Sequence, residues 1–172
     1  MAILNEYILD ANTFITPYKQ YYQFDFAPSY WKQFAPAIVK PEIKILSVVY
    51  DELVATDDEL SNWIKSVSNL KKISIADDEI VKNYGKVLNY VRESGFYTER
   101  ALRNWSDKKI ADAWIIAAAM KYEAVIITFE QSVGELSTKN KTSKVKIPDV
   151  AENFGIECQN LFDFIRAMKI KL

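Results

Sequence analysis

Strand-length apolar runs alternate with helix-period segments along this chain, an order that predicts an α/β domain on a mainly parallel central sheet. Three runs read as strands, in "AILNEYILD", "IKILSVV" and "AVIITFE". The second is nearly continuous in apolar residues, as a parallel strand covered on both faces should be. Between the runs, apolar residues recur at helical spacing, most clearly Ile80, Tyr84, Val87, Leu88 and Val91. A length of 172 residues predicts a single domain, 1–172, in three layers with helices over the sheet.

The first strand carries Ile3, Leu4, Tyr7, Ile8 and Leu9 and stops at Asp10. "ANTFITPYKQYYQFD" follows as a helix start with a break near Pro17. Its aromatic residues, Tyr18, Tyr21, Tyr22, Phe24 and Phe26, read first as packing and second as a platform for stacking bases. "PSYWKQFAPAIVK" predicts a short helix ended by Pro36 or Pro41. The second strand, residues 43–49, leads into "YDELVATDDELSNWIKSV", helical in one piece or two, with Leu53, Leu60, Ile64 and Val67 facing inward. "DDEIVKNYGKVLNYVRES" is a helix whose leading acids suit the macrodipole, and Gly95 suits its end. "TERALRNWSD" reads as a short helix or a loop, and "KKIADAWIIAAAMKYE" as a helix running into the third strand. "KVKIPDVAENFGI" predicts a short strand, then a helix after Pro148, and "NLFDFIRAMKI" a last helix.

Composition narrows the chemistry. With 22 basic and 23 acidic side chains the net charge is -1, so global charge gives no case for nucleic-acid binding and any such case rests on local patches. There is no His, which removes imidazole bases and His-liganded metal sites. Cys158 is the one cysteine, so neither an intrachain disulfide nor a thiolate zinc cluster can form. Four glycines leave no Walker or dinucleotide pattern. Catalysis here has to run on carboxylates, hydroxyls, Lys, Tyr or a hard cation. No segment reaches membrane-spanning length, and the opening "MAILNEYILD" lacks a basic region followed by a long apolar run. A cytoplasmic protein without a signal peptide is expected.

Sites in open parallel sheets form outside the carboxyl ends of the strands. Asp10 follows the first strand, Glu52 lies in the first turn after the second, and Glu130 follows the third. Asp112 lies one turn from Ile115 and Ile116 on the preceding helix, which places it near the sheet. Singly, each acid has an ordinary explanation: a cap for Asp10, a dipole-favoured acid for Glu52, a solvated acid for Asp112, a turn acid for Glu130. Those explanations leave open why four acids collect at one edge, where like charges repel unless neutralised. Mg²⁺ or Mn²⁺, which take oxygen ligands, supply that neutralisation.

The segments "YILDANTFI", "LSVVYDEL", "IADAWIIAAAM" and "VIITFE" together resemble PIN-domain ribonucleases, and among them small prokaryotic PIN-like proteins, some of them toxin-like. The likeness runs from residue 3 to about 162. It implies a PIN-like fold and an endoribonuclease that hydrolyses single-stranded RNA with Mg²⁺ or Mn²⁺ on Asp10, Glu52, Asp112 and Glu130, with Asp51 as a register alternative to Glu52. Glu130 departs from the family's usual Asp or Asn by one methylene. Asn12 or Thr13, Ser47 and Thr128 match the groups that orient those carboxylates. The implied partners are RNA, an antitoxin protein and a second copy of the chain.

For the RNA backbone, Lys139, Lys141, Lys144 and Lys146 form a run without acids, read as a solvated loop or a phosphate contact. Arg100, Arg103, Lys108 and Lys109 form a second patch. Trp105 suits core packing or base stacking, and Asp107 suits a helix cap. The alternative function keeps the fold and drops the chemistry, leaving an interaction module bound by a partner. Phosphatase and receiver readings fail, since Asp10-Ala11-Asn12 lacks the Asp-x-Asp pair and the first strand ends on one acid.

Overall fold

The structure, a computed structural model, describes residues 5–172. Five parallel strands stand in the order β3-β2-β1-β4-β5, namely β1 (Tyr7–Leu9), β2 (Ile43–Leu46), β3 (Lys72–Ile73), β4 (Val125–Ile127) and β5 (Cys158–Gln159). Ile8 pairs with Lys44 on one side and with Ile126 on the other, so β1 is the centre of the sheet. The chain builds outward from β1 through β2 to β3, then crosses back to add β4 and β5 on the far side. That reversal puts a crevice at the carboxyl ends of β1 and β4.

Nine α-helices surround the sheet among the described residues: α1 (Asn12–Thr16), α2 (Pro28–Ile38), α3 (Ser47–Ala55), α4 (Glu59–Ser66), α5 (Asp78–Glu93), α6 (Glu99–Trp105), α7 (Asp112–Tyr122), α8 (Ile147–Asn153) and α9 (Leu161–Ala167). Four start on side-chain caps that satisfy otherwise orphaned N–H groups: Asp58, Asp77, Thr98 and Asn160. Gly95, just past the end of α5, takes the left-handed φ of 77° expected there.

β1, β2 and β4 are buried along their length apart from half-buried Lys44. On one face Tyr7 meets Phe164 of α9 edge-on, and Phe164 meets Phe34 of α2. α7 is buried through most of its turns because it packs against α5, where Trp114 stacks on Tyr84 and Asn83 donates to the Ala117 carbonyl.

Several elements differ from the sequence reading. Residues 1–4 of the first expected strand lie outside the described residues. The second strand stops at Leu46, and Ser47 opens α3 rather than ending the strand. Pro36 lies inside α2, where burial of Tyr30, Trp31, Phe34, Ala37 and Ile38 outweighs one lost hydrogen bond. Pro17 does break the first helix, into a π turn (Pro17–Tyr21) closed by the Tyr22 N–H on the Pro17 carbonyl. No strand forms in "KVKI": Thr142 makes a single parallel bridge to Tyr97, and α8 begins at Ile147. β3 and β5, two residues each, are too short to show a period.

Ile126 is fully buried at the β1–β4 pairing. Ile126→Ala should lower unfolding free energy by about 2–5 kcal/mol in chemical denaturation, the cost of a core cavity.

Candidate active site

The site grows from the last residues of β1 and β4. The Asp10 N–H donates to the Ile127 carbonyl, so sheet pairing continues up to the carboxylate. Asp10 is 6% exposed. Its Oδ2 accepts from Thr128 Oγ1 at 2.7 Å, and that hydroxyl in turn accepts from Asn12 Nδ2 at 3.3 Å and from the Glu130 N–H at 3.0 Å. Asn12 Oδ1 accepts from the Phe129 N–H at 2.9 Å. Asn12 and Thr128 thus lock the strand ends together and orient Asp10. Thr13 serves a different purpose, donating its hydroxyl to the Asp10 carbonyl. Asp10 itself is no cap, since α1 begins after Ala11 without a side-chain cap.

Asp112 comes from the first turn of α7 and is half-buried. Its Oδ2 accepts from Trp105 Nε1 at 2.9 Å. Trp105 is buried, which corrects the base-stacking alternative and makes it a support for the acid. Nothing in the sequence marks this pairing beyond an indole seven residues before the Asp. Asp107 caps the turn before α7, accepting from the Lys109 N–H at 2.9 Å, while the N-cap of the helix is Ala111.

Burial pushes the Asp10 carboxyl up to about 7, with the Asp112 and Glu130 charges adding to the rise and the Thr128 hydrogen bond opposing it. Asp112 is raised to about 6 by burial, then by Glu130 and Glu52, against the indole and Lys146. Asp10 feels the charge of Asp112, and both feel that of Glu130, as acids lying near one another do.

Glu52 is exposed on α3, and burial of its carboxyl on the cleft side raises it above its ordinary value. It lines a cleft of about 440 Å³ with Ser47, Asp51, Ile75, Lys108 and Lys109. Asp51 also faces this cleft, but Glu52 is the acid whose charge Asp112 feels. The Ser47 hydroxyl makes no hydrogen bond to the acids among the described residues.

Glu130 differs most from expectation. Its Oε1 accepts from Lys146 Nζ and its Oε2 from the Ile147 N–H, each at 2.8 Å. Residues 131–146 lie between these partners, so Glu130 clasps the neck of that loop. The loop is further tied by the Val133 N–H on buried Asp149 and by the Thr142 bridge. Lys146 is therefore drawn into the acid edge, whereas Lys139, Lys141 and Lys144 are exposed on the loop, as are Arg100, Arg103, Lys108 and Lys109. The signal for Lys146 was its setting between two apolar residues, Val145 and Ile147, both buried. The aromatic tract splits likewise: Tyr22, Phe24, Tyr30 and Trp31 stack into the core, while Phe26 is 64% exposed and Tyr21, 43% exposed, stacks on Phe129 beside a second cleft of about 490 Å³.

Among the described residues, no three Asp, Glu, His or Cys side chains gather tightly enough to hold a metal ion by themselves. The donor chemistry still fits a hard cation, because Mg²⁺ is commonly held by one or two carboxylates and completes its shell with water and phosphate. Asp10 and Asp112, both destabilised as free anions, are the pair suited to it.

The helix-flanked, all-parallel sheet in the order β3-β2-β1-β4-β5 is a PIN-like α/β fold. The chain belongs to the DUF4411 family, a domain of unknown function, which it matches over residues 7–172. No curated protein matches it in sequence. The fold is similar to VapBC-1 from nontypeable Haemophilus influenzae (TM-score 0.52, 17% identity, 91% of this chain and 98% of that one). It is also similar to VapBC2 from Rickettsia felis bound to a promoter DNA fragment (TM-score 0.51, 17% identity, 90% and 97%).

Two outcomes follow from the site's geometry. The folded Asp10 carboxyl lies at about 7 against an ordinary 3.8, so its protonation stabilises the fold fully below 3.8 and that stability is lost as pH rises through 7. Asp10→Asn keeps an acceptor for Thr128 and cannot ionise; it should stabilise the metal-free protein on the order of a few kcal/mol at pH 8 and little at pH 4, read as melting temperature. Glu130→Ala should speed amide exchange across 131–146 about tenfold or more while β1 and β4 stay protected, since it strips partners from Lys146 and the Ile147 N–H.

Proposed function

We propose that this chain is a divalent-metal-dependent endoribonuclease acting on single-stranded RNA, and the toxin member of a toxin–antitoxin pair. The observation that carries the reading is the buried Asp10 at the switch of strand order, held by Thr128 and raised by burial and by the charges of Asp112 and Glu130. The VapBC assemblies that share the fold are toxin–antitoxin complexes, which supports the pairing with an antitoxin. In this reading the protein acts in the cytoplasm; among the described residues no helix is long and apolar enough to cross a membrane.

In this reading Asp10 and Asp112 hold Mg²⁺ or Mn²⁺, with Glu52 contributing from the rim of its cleft. The cation supplies Lewis acidity, acidifying water and neutralising phosphate charge. Thr128, Asn12 and Trp105 fix the carboxylate oxygens, so that little reorganisation is needed when substrate arrives. Lys108 and Lys109 border the Glu52 cleft and offset the acids for an approaching phosphate backbone. Lys139, Lys141 and Lys144 extend that attraction along the loop.

A second reading, an interaction module without catalysis, is favoured by exposed Tyr21 and Phe26, apolar surface suited to a protein partner. Cleavage separates the two. The wild-type protein, stripped of metal and resupplied with Mn²⁺ or Mg²⁺, should cut end-labelled single-stranded RNA and stop with chelator. Asp10→Asn should lower the rate on the order of 100-fold or more, and Trp105→Phe about tenfold, with circular dichroism unchanged. Cleavage that survives Asp10→Asn in clean preparations overturns the nuclease assignment, and no cleavage by any preparation favours the module.

A further inference from the structure

We infer that the cleft of about 490 Å³ beside β4 and β5 is a nucleobase subsite, in which one base of a single-stranded RNA lies against Tyr21, Phe129 and Phe162. This rests on the reading that the acid edge acts on RNA, and it adds the place where a base is held.

Sheet order sets the position of the cleft. Thr128 and Phe129, which follow β4, and Gln159 and Asn160, at the end of β5, form its wall. β4 pairs directly with β1, so the cleft begins one strand from Asp10, about 5 Å at ordinary strand spacing. Thr128 belongs to both places: it lines the cleft, and its hydroxyl donates to Asp10 Oδ2. The cleft that holds Lys108 and Lys109 lies on the other side of β1, where Ser47 follows β2. A strand laid across the carboxyl edge therefore meets lysines on one side of Asp10 and aromatic rings on the other.

The lining chemistry suits a base better than a phosphate or an ion. Among the described residues Glu130 is the one charged group in it, and both Glu130 oxygens are engaged, by Lys146 and by the Ile147 N–H. The rest is neutral, chiefly rings, hydroxyls and amides. Tyr21 is 43% exposed, and its ring lies 16° from parallel to Phe129 and edge-on to Phe162. These neighbours brace the ring, so little freedom is lost when a base stacks on it. The Gln131 side chain makes no hydrogen bond among the described residues, and Asn160 uses its amide oxygen to cap α9 while its amide nitrogen makes none. Amides of this kind can donate to or accept from the edge of a base.

The test is binding of a fluorescein-labelled oligouridine to the full chain, read by anisotropy in chelator so that neither metal nor cleavage enters. Tyr21→Ala should weaken binding about tenfold, Tyr21→Leu, which keeps apolar bulk without a π face, by a similar factor, and Tyr21→Trp by less than about twofold. The dependence of affinity on salt should be the same in all of them, because no phosphate contact is removed. An abasic oligomer of the same length should bind wild type and Tyr21→Ala alike. Equal affinity of wild type and Tyr21→Ala for oligouridine overturns the inference and leaves the aromatic cleft to a protein partner. A loss equally large on the abasic oligomer overturns it too, as does a wild type that binds no RNA. Cleavage with Mn²⁺ is scored separately: RNA held through Tyr21 but never cut overturns the nuclease reading and not the subsite, whereas RNA cut by a protein whose affinity ignores Tyr21 overturns the subsite alone. Should Tyr21→Ala fail to fold, Tyr21→Leu decides in its place.

Discussion

Burial of a carboxylate at the junction of β1 and β4 is the constraint around which this structure is arranged. Removing Asp10 from water costs free energy unless partners replace the lost hydration. One partner is the Thr128 hydroxyl, itself fixed by Asn12 and the Glu130 N–H. The Asp10–Thr128 and Asn12–Thr128 contacts join residues more than a hundred positions apart and can form only once β1 and β4 pair in register. Pairing, orientation and electrostatic strain are thus one event. The strain is incompletely relieved, because Asp112 arrives from α7 with its own buried charge. An unbalanced pair of acids at a sheet's switch point suits binding of a cation better than it suits stability.

The loop over 131–146 shows how the same edge is protected from excess charge. Glu130 closes the loop's neck with Lys146 and Ile147, while its charge still reaches Asp10 and Asp112. One lysine of the basic run is taken into the acid edge, and the remaining three are exposed on the loop. Acid centre and basic surround give a local field that the net charge of -1 conceals. The aromatic cluster beyond α1 has a related division of labour. Most rings pack under α2, while the π turn carries Tyr21 out beside Phe129 and Phe162, at the rim of the same edge.

Much of the architecture was legible in the residue pattern. The three apolar strands, each shorter than its run, α5, α7 and the alternation that implies a parallel sheet are local signals of burial and period, and all of them stand in the fold. Boundaries were less legible. Ser47 was assigned to a strand because "SVV" is apolar in either state, and Pro36 was read as a stop because proline's local cost is visible while the packing that overrides it is not. β3 and β5 left no trace, being held by their neighbours rather than by their own sequence.

For the candidate site, the strand-end positions of Asp10 and Glu52, and the nearness of Asp112 to the sheet, came from the sequence. So did Asn12 and Thr128 as supports. Trp105 as the partner of Asp112, and Lys146 as the partner of Glu130, did not. Residue order determines which side chains stand at the ends of strands and turns, because helix and strand periods are local. Which carboxylate stays bare and which is neutralised depends on distances between segments remote in the chain. Only the folded packing, where electrostatic energy falls with separation and rises with burial, decides that.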